Sequence, residues 1–405
     1  MLAVTEPSST RPPEASDNLS VLSSLLSPQG WVYASSPPVE EGDPGRFHAL
    51  FGRDSLICAL QVLTVRPEIA AATLRALATL QGAIDDPATE EEPGKILHEY
   101  RPVAPDWMIQ EGWPVRDGGL RYFGTSDATS WFLTVLEATG DQTLQDELSS
   151  ASRAAGGWLQ RALSKGDGFV RCGPRLYPGG LSQQGWRDNL DPADGHGGGI
   201  VTEDGSAPAA PLADADSQAA AVAALDALTR LDPEHRDHWT ALATDLRARI
   251  RQHFPAEVMA VDAHNQPVTG AGSQLGWLLW ADALDAEGTQ QAIHRLTRPD
   301  ILTAYGVRTL AASHPAFLAE SYHRGSIWPF DNWIAWGGLR RAGAHHHADQ
   351  IRDGVRTALT HLGRYPELYT VIDDTLTALP AANRVQAWTV GATIAFDNDW
   401  TGRHR

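Results

Sequence analysis

The chain has 405 residues and a formal net charge of −18; that length can bury a large core, and that charge excludes the basic face that nucleic acid or an anionic membrane surface requires. A neutral glycan tolerates it. Two cysteines, Cys58 and Cys172, are too few for a disulfide framework and lack the paired spacing of a zinc site, which fits a reducing cytoplasm.

Residues 1–20, rich in Pro, Ser and Glu, have neither a cationic start nor an apolar core, so they read as a disordered tail rather than a signal peptide. No later run approaches the roughly 18 apolar residues of a membrane span. Apolar residues at three- and four-residue spacing predict helices over 67–81, 130–138, 144–163, 214–254, 274–284, 333–342, 348–362 and 385–396. Strand patterns are confined to 119–124 and 258–263. The segment 163–211 is rich in Gly, Pro and Asp, and a connection that long is usually functional, so it is expected in a pocket wall. Its GHGGG run lacks the Lys-Ser or Lys-Thr of a phosphate loop. The pattern is all-α with long loops, and 21–405 shows no composition break that would mark a second domain.

Two carboxylate motifs stand far apart: QGWRDN at 184–189 and YPELY at 365–369. Asp188 follows a Gly-Trp-Arg turn and Glu367 follows Pro366, so both are expected at element ends, where loops present chemistry. Each also has a bland reading, Asp188 as a helix cap and Glu367 as a first-turn helix residue. Together they supply the two carboxyl groups that glycoside hydrolysis needs.

With FGRDS at 51–55, GKILHEYR at 94–101, GTSDATSWFL at 124–133, SQLGWLLW at 273–280, YHRGSIWPFDN at 322–332 and QAW at 386–388, the chain resembles the amylo-α-1,6-glucosidase part of glycogen debranching enzymes. It is also similar to the mannosylglycerate and glucosylglycerate hydrolases and, in Arg-Asp-Ser, to glucoamylases. The resemblance implies an (α/α)6 barrel whose long loops form one active-site funnel. It also implies an inverting glycoside hydrolase that removes a terminal α-linked glucose-type sugar, with Asp188 as general acid and Glu367 as general base. Amylo-α-1,6-glucosidase-like activity is the first expectation and hydrolysis of glucosylglycerate or mannosylglycerate the second. The partner is an oligosaccharide or small glycoside, and the carboxyl pair needs no metal or organic cofactor.

The remaining motif residues are expected to bind substrate. Arg53 and Asp54 offer a donor fork beside an acceptor, although Asp54 can equally cap a helix. His98, Glu99, Arg187 and Gln386 follow from their motifs. Asp127 has a competing role as an N-cap. Trp186, Tyr322, His323, Trp328 and Trp388 supply aromatic and imidazole faces, with core packing as the rival use of the tryptophans. Glu320 competes as a carboxylate without matching a catalytic position. His345, His346 and His347, at consecutive helical positions, point apart and read as a solvated face, as do Glu90, Glu91 and Glu92 as an acidic turn. Two other classes remain: an epimerase or isomerase using His98 and His323 across the pocket, and a non-catalytic glycan-binding protein, which has no need of both Asp188 and Glu367.

Overall fold

The structure, a computed structural model, describes residues 15–38, 45–173, 180–189, 199–380 and 382–403. Twelve helices organise it, numbered in chain order: α1 Ala15–Ser24, α2 Gly52–Gln61, α3 Pro67–Thr79, α4 Ala128–Ala138, α5 Ser149–Lys165, α6 Ala215–Leu231, α7 Arg236–His253, α8 Gln274–Trp280, α9 Ala286–Leu296, α10 Pro329–Arg341, α11 His345–Leu362 and α12 Ala387–Asp397. Shorter helices at Asp106–Gln110 and Gln142–Glu147 lie between them.

The sequence explains why the helices fall into two sets. In α4 every residue except Glu137 is buried, as expected of a helix that is apolar nearly all round. In α5 the buried residues are Ser152, Ala155, Gly156, Trp158, Leu159 and Leu163, one stripe at helical spacing with polar residues opposite. The even-numbered helices pack in succession, α2 on α4, then α6, α8, α10 and α12, and α12 returns to α2. Each odd-numbered helix covers an even-numbered one from outside. Close approach depends on small residues: a Cβ at Gly276 of α8 would stand 2.5 Å from the Ala335 backbone of α10.

Four differences from the sequence reading have physical causes. The periodic stretch 214–254 is two helices, because Asp232-Pro233 removes a backbone donor and starts a 3-10 turn at Pro233–His235. The stretch 144–163 breaks at Leu148 for α5 to begin. Helix α2 and helix α9 were not expected: α2 is buried throughout and so has no polar face to set a period, and α9 buries only Ala292 and Leu296, too few to form an apolar stripe. Residues 15–20 of the expected disordered tail are helical: Leu22 and Leu25 are fully buried, and the Tyr365 hydroxyl donates to Asn18 at 2.5 Å. Residues 1–14 lie outside the described residues.

An aromatic column fills the centre. Trp186 lies parallel to Trp277 at 6.1 Å, Trp131 meets Trp277 at 5.7 Å, and Phe330 stacks on Trp388 at 3.8 Å. Above it, the antiparallel strands Leu50–Phe51, Glu99–Arg101 and Leu120–Tyr122 pair Phe51 with Glu99 and Glu99 with Tyr122. That pairing brings the start of α2 and the His98-Glu99 motif to the same end of the molecule. Among the described residues no helix is long and apolar enough to cross a membrane.

Candidate active site

A cavity of about 180 Å3 opens at that end, lined by Arg53, Asp54, His98, Glu99, Asp188 and Glu367 among aromatic side chains including Trp107, Trp113, Trp186, Tyr322, Trp328 and Trp388. Asp188 and Glu367, 179 residues apart in sequence, thus face one space. Neither lies in a helix, so both bland readings fail.

The Asp188 segment is fixed from behind. Gln183 bridges Asn189, and the Gln184 carbonyl accepts from Ser126 N at 2.9 Å and from Arg53 Nη2 at 3.1 Å. Gly185 is required because a Cβ there would come within 2.9 Å of the Asp214 carboxylate. Arg53 Nη1 donates to Asp188 Oδ2 at 2.8 Å. Burial pushes the Asp188 carboxyl up to about 6, against the pull of Arg53. Its side chain keeps 25 % of its surface open to the pocket, which leaves room for a ligand atom at its second oxygen.

Glu367, between Pro366 and the strand Tyr369–Ile372, is held from two sides. The Tyr322 hydroxyl donates to Oε1 at 2.5 Å and Asn383 N to Oε2 at 3.4 Å. Burial pushes this carboxyl up to about 7, opposed by both hydrogen bonds and reinforced by Asp188. Gln386 accepts from Asn383 Nδ2 at 2.9 Å, so it steadies the residue that touches Glu367 and does not itself line the cavity.

Asp54 is the third residue of α2, whose N-cap is Phe51 with no side-chain cap. Its capping role is therefore absent, and among the described residues no donor reaches its carboxylate. Burial raises it well above the usual range, with Asp188, Glu367 and Asp127 adding repulsion against Arg53. Such a carboxyl is suited to a sugar hydroxyl. Glu99 is paired with Arg101 and is pushed by burial up to about 7. Burial holds His98 well below the usual histidine range, hence neutral, between Phe51 and Tyr122 rings at 5.4 and 5.7 Å.

Several expected contacts are not in the pocket. Asp127 is fully buried; its two oxygens accept from Arg53 Nε at 2.9 and 2.8 Å, so it holds Arg53 in place of a sugar. Arg187 is spent on Asp216, Thr309 and Ser273. His323 is buried, its Nδ1 accepts from Gly199 N at 3.1 Å, and it packs against Trp186 and Trp328 without lining the cavity. Glu320 is exposed, as are His345 and His346, while His347 bonds Gln350. Most of the DPADGHGGG run, 191–198, lies outside the described residues.

The sequence reading missed Arg46, Phe47, Trp107, Trp113, Leu181 and Asn189. Arg46 stacks over Trp107 at 4.4 Å and pairs with Glu111 at 2.9 Å. Two tryptophans within seven residues, in a segment without helical or strand periodicity, were the available signal. Among the described residues no group of His, Cys, Asp and Glu is arranged to hold a metal ion. What the pocket offers is paired carboxyls near neutral pKa, a hydroxyl-seeking Asp54 and aromatic faces, which is the equipment for proton transfer on a sugar.

Comparison with known proteins agrees. The mannosylglycerate hydrolase MGH1-like glycoside hydrolase domain family matches residues 182–370, a span that includes both Asp188 and Glu367. No curated protein matches the chain in sequence. The fold is similar to that of the GH63 mannosylglycerate hydrolase of Thermus thermophilus in complex with Tris, at 15 % identity and a TM-score of 0.68 over 95 % of this chain and 100 % of that one. The same enzyme with Tris and D-glycerate gives 16 % identity and 0.68 over 94 % and 98 %, and with glucose 15 % and 0.67 over 95 % and 99 %. The segment that carries both pocket carboxylates is thus the one that matches the MGH1-like glycoside hydrolase domain, and the protein is a glycoside hydrolase.

Proposed function

We propose that the protein hydrolyses a small α-glycoside of glyceric acid, a glucosyl- or mannosylglycerate, with inversion. Asp188 acts as general acid and Glu367 as general base in an (α/α)6 barrel whose inner ring is the even-numbered helices. The observation that carries this reading is the meeting of Asp188 and Glu367 in one small cavity, both within the family-matched segment. At about 180 Å3 the cavity is below the roughly 300–1,000 Å3 usual for drug-sized ligands. One hexose with a short aglycone suits it better than the branched glucan of an amylo-α-1,6-glucosidase, so that first expectation gives way to the second. The exposed Arg46, at the pocket edge on Trp107, offers a guanidinium to the glycerate carboxylate.

Burial pushes Glu367 up to about 7 and Asp188 up to about 6, an order that the two roles need reversed. Substrate reorders them. A glycosidic oxygen accepting from Asp188 favours its protonated form, while a water donating to Glu367 joins Tyr322 and Asn383 in favouring the carboxylate. Asp188 then protonates the leaving oxygen and Glu367 deprotonates the water that attacks the anomeric carbon. The histidine-based isomerase reading loses its support because His323 does not line the cavity and Glu367 does.

Incubation of the full chain with glucosylglycerate, mannosylglycerate, isomaltose, panose and trehalose, with released hexose measured, tests the assignment. Release from a glycerate glycoside at the highest kcat/KM is expected. Preferential release from isomaltose or panose overturns it in favour of the debranching-type activity.

A further inference from the structure

We infer that Glu90, outside the pocket, is a positioning residue for the Asp188 loop. Its backbone is left-handed, with φ 59°, a conformation rare for a side chain of this size and one kept only where the surroundings require it. The surroundings are specific. Glu90 Oε2 accepts from Gln184 Nε2 at 2.6 Å, and Oε1 accepts from the Tyr122 hydroxyl at 3.1 Å. That same hydroxyl accepts from Leu181 N at 2.9 Å. One carboxylate therefore ties both ends of the segment 181–184, which runs directly into Gly185-Trp186-Arg187-Asp188.

The tie continues to the reacting group. The Gln184 carbonyl accepts from Arg53 Nη2, and Arg53 Nη1 holds Asp188 at 2.8 Å, so a shift of Gln184 moves the carbonyl that orients the guanidinium and the chain that carries the acid. Glu90 and Gln184 both line a groove of about 420 Å3 on the far side of this segment, separate from the cavity of Asp188, so the carboxylate touches no substrate. The acidic turn 90–92, read from sequence as a solvated face, is thus at Glu90 a bracket behind the acid loop.

This inference rests on Asp188 being the general acid, and leaving-group dependence tests it. A glycosyl fluoride needs no proton to depart, whereas a glycerate leaving group does. In Glu90→Ala, kcat on the glycerate glycoside should fall about 10- to 100-fold, the scale of misplacing a general acid by about an ångström, with KM nearly unchanged. Turnover of the matching α-glycosyl fluoride should stay near wild type. Glu90→Gln, which keeps one acceptor, should lie between and serves if the alanine variant does not fold. Equal losses on both substrates, or none, overturn the inference. Asp188→Asn, run alongside, separates the two failures: absence of the glycerate-versus-fluoride contrast there removes the acid assignment itself.

Discussion

The Tyr322 hydroxyl donates to Glu367 Oε1 at 2.5 Å, and the edge of Tyr322 meets Trp328 at 4.8 Å, which fixes where the hydroxyl points. A donor on a carboxylate favours its ionised form, and a base must be ionised to work. Tyr322→Phe removes a hydrogen bond to a charged group worth about 1.5–3 kcal/mol, or about 1–2 pH units. The acid limb of the kcat profile, which reports the substrate-bound pair, should move up by that amount, with activity recovered at higher pH. A pH-rate profile whose acid limb stays in place would show that Tyr322 only packs.

Asp127 and Arg53 form a buried pair whose loss is structural before it is catalytic. Asp127→Ala leaves the Arg53 guanidinium without the partner of its Nε, and breaking such a pair costs about 3–5 kcal/mol. A large drop in thermal midpoint is expected, with hydrolysis of glycerate glycosides and glycosyl fluorides lost together. That joint loss is what distinguishes it from Glu90→Ala. An unchanged midpoint would mean that Arg53 finds another anchor.

Asp54, with no protein donor among the described residues, should act on substrate alone. Asp54→Ala should lower kcat/KM about 10- to 100-fold, on the scale of the about 1–3 kcal/mol cost of leaving a buried sugar hydroxyl without its partner, while leaving the folding transition in place. A lowered folding transition with kcat/KM unchanged in the folded protein would show that Asp54 is structural.

The buried carboxyls set a pH dependence of stability whose sign follows from the direction of the shifts. Glu99 and Glu367 are raised to about 7, and Asp188, Asp214 and Asp216 to about 6, each chiefly by burial. A carboxyl raised in the folded state binds its proton more tightly there than when unfolded, so its contribution is complete below the unfolded value near 4 and is lost as pH rises through 6 to 7. The thermal midpoint should therefore be higher for Glu367→Gln than for wild type at pH 8, and nearly equal to it at pH 5. Equal midpoints at pH 8 would show that Glu367 is not strained by its charge.

What the sequence disclosed, and what it hid, divides along physical lines. Asp188 and Glu367 could be read because their motifs combine turn residues with a carboxylate. Amphipathic helices such as α11 could be read because one face is polar; α2 could not, being buried all round. The partner of a buried charge is invisible in sequence. Arg187 and Arg53 look equally available there, yet one is bound to Asp216 and the other to Asp127 and Asp188. Trp107 and Trp113 escaped because they stand on a short helix and loop with no period, and only the fold lays them over the cavity.

The stereochemical outcome is the most exposed consequence of the proposal. The Asp188 loop leads into α6 and the Glu367 loop into α12, three places apart in the succession of six even-numbered helices, so the two segments are carried by helices that are not neighbours in it. Each carboxylate has its own partners, Arg53 for one and Tyr322 with Asn383 for the other, and neither bonds the other. That arrangement suits a separation of about 6.5–9.5 Å, which admits a water, rather than about 5 Å, which brings a nucleophile onto the anomeric carbon. An α-linked substrate should then release the β-anomer first. Proton NMR in the first minutes, before mutarotation, reads the anomer directly. Early appearance of the α-anomer would make Glu367 a nucleophile and would require a glycosyl-enzyme intermediate, which Asp188→Asn with a glycosyl fluoride should then trap.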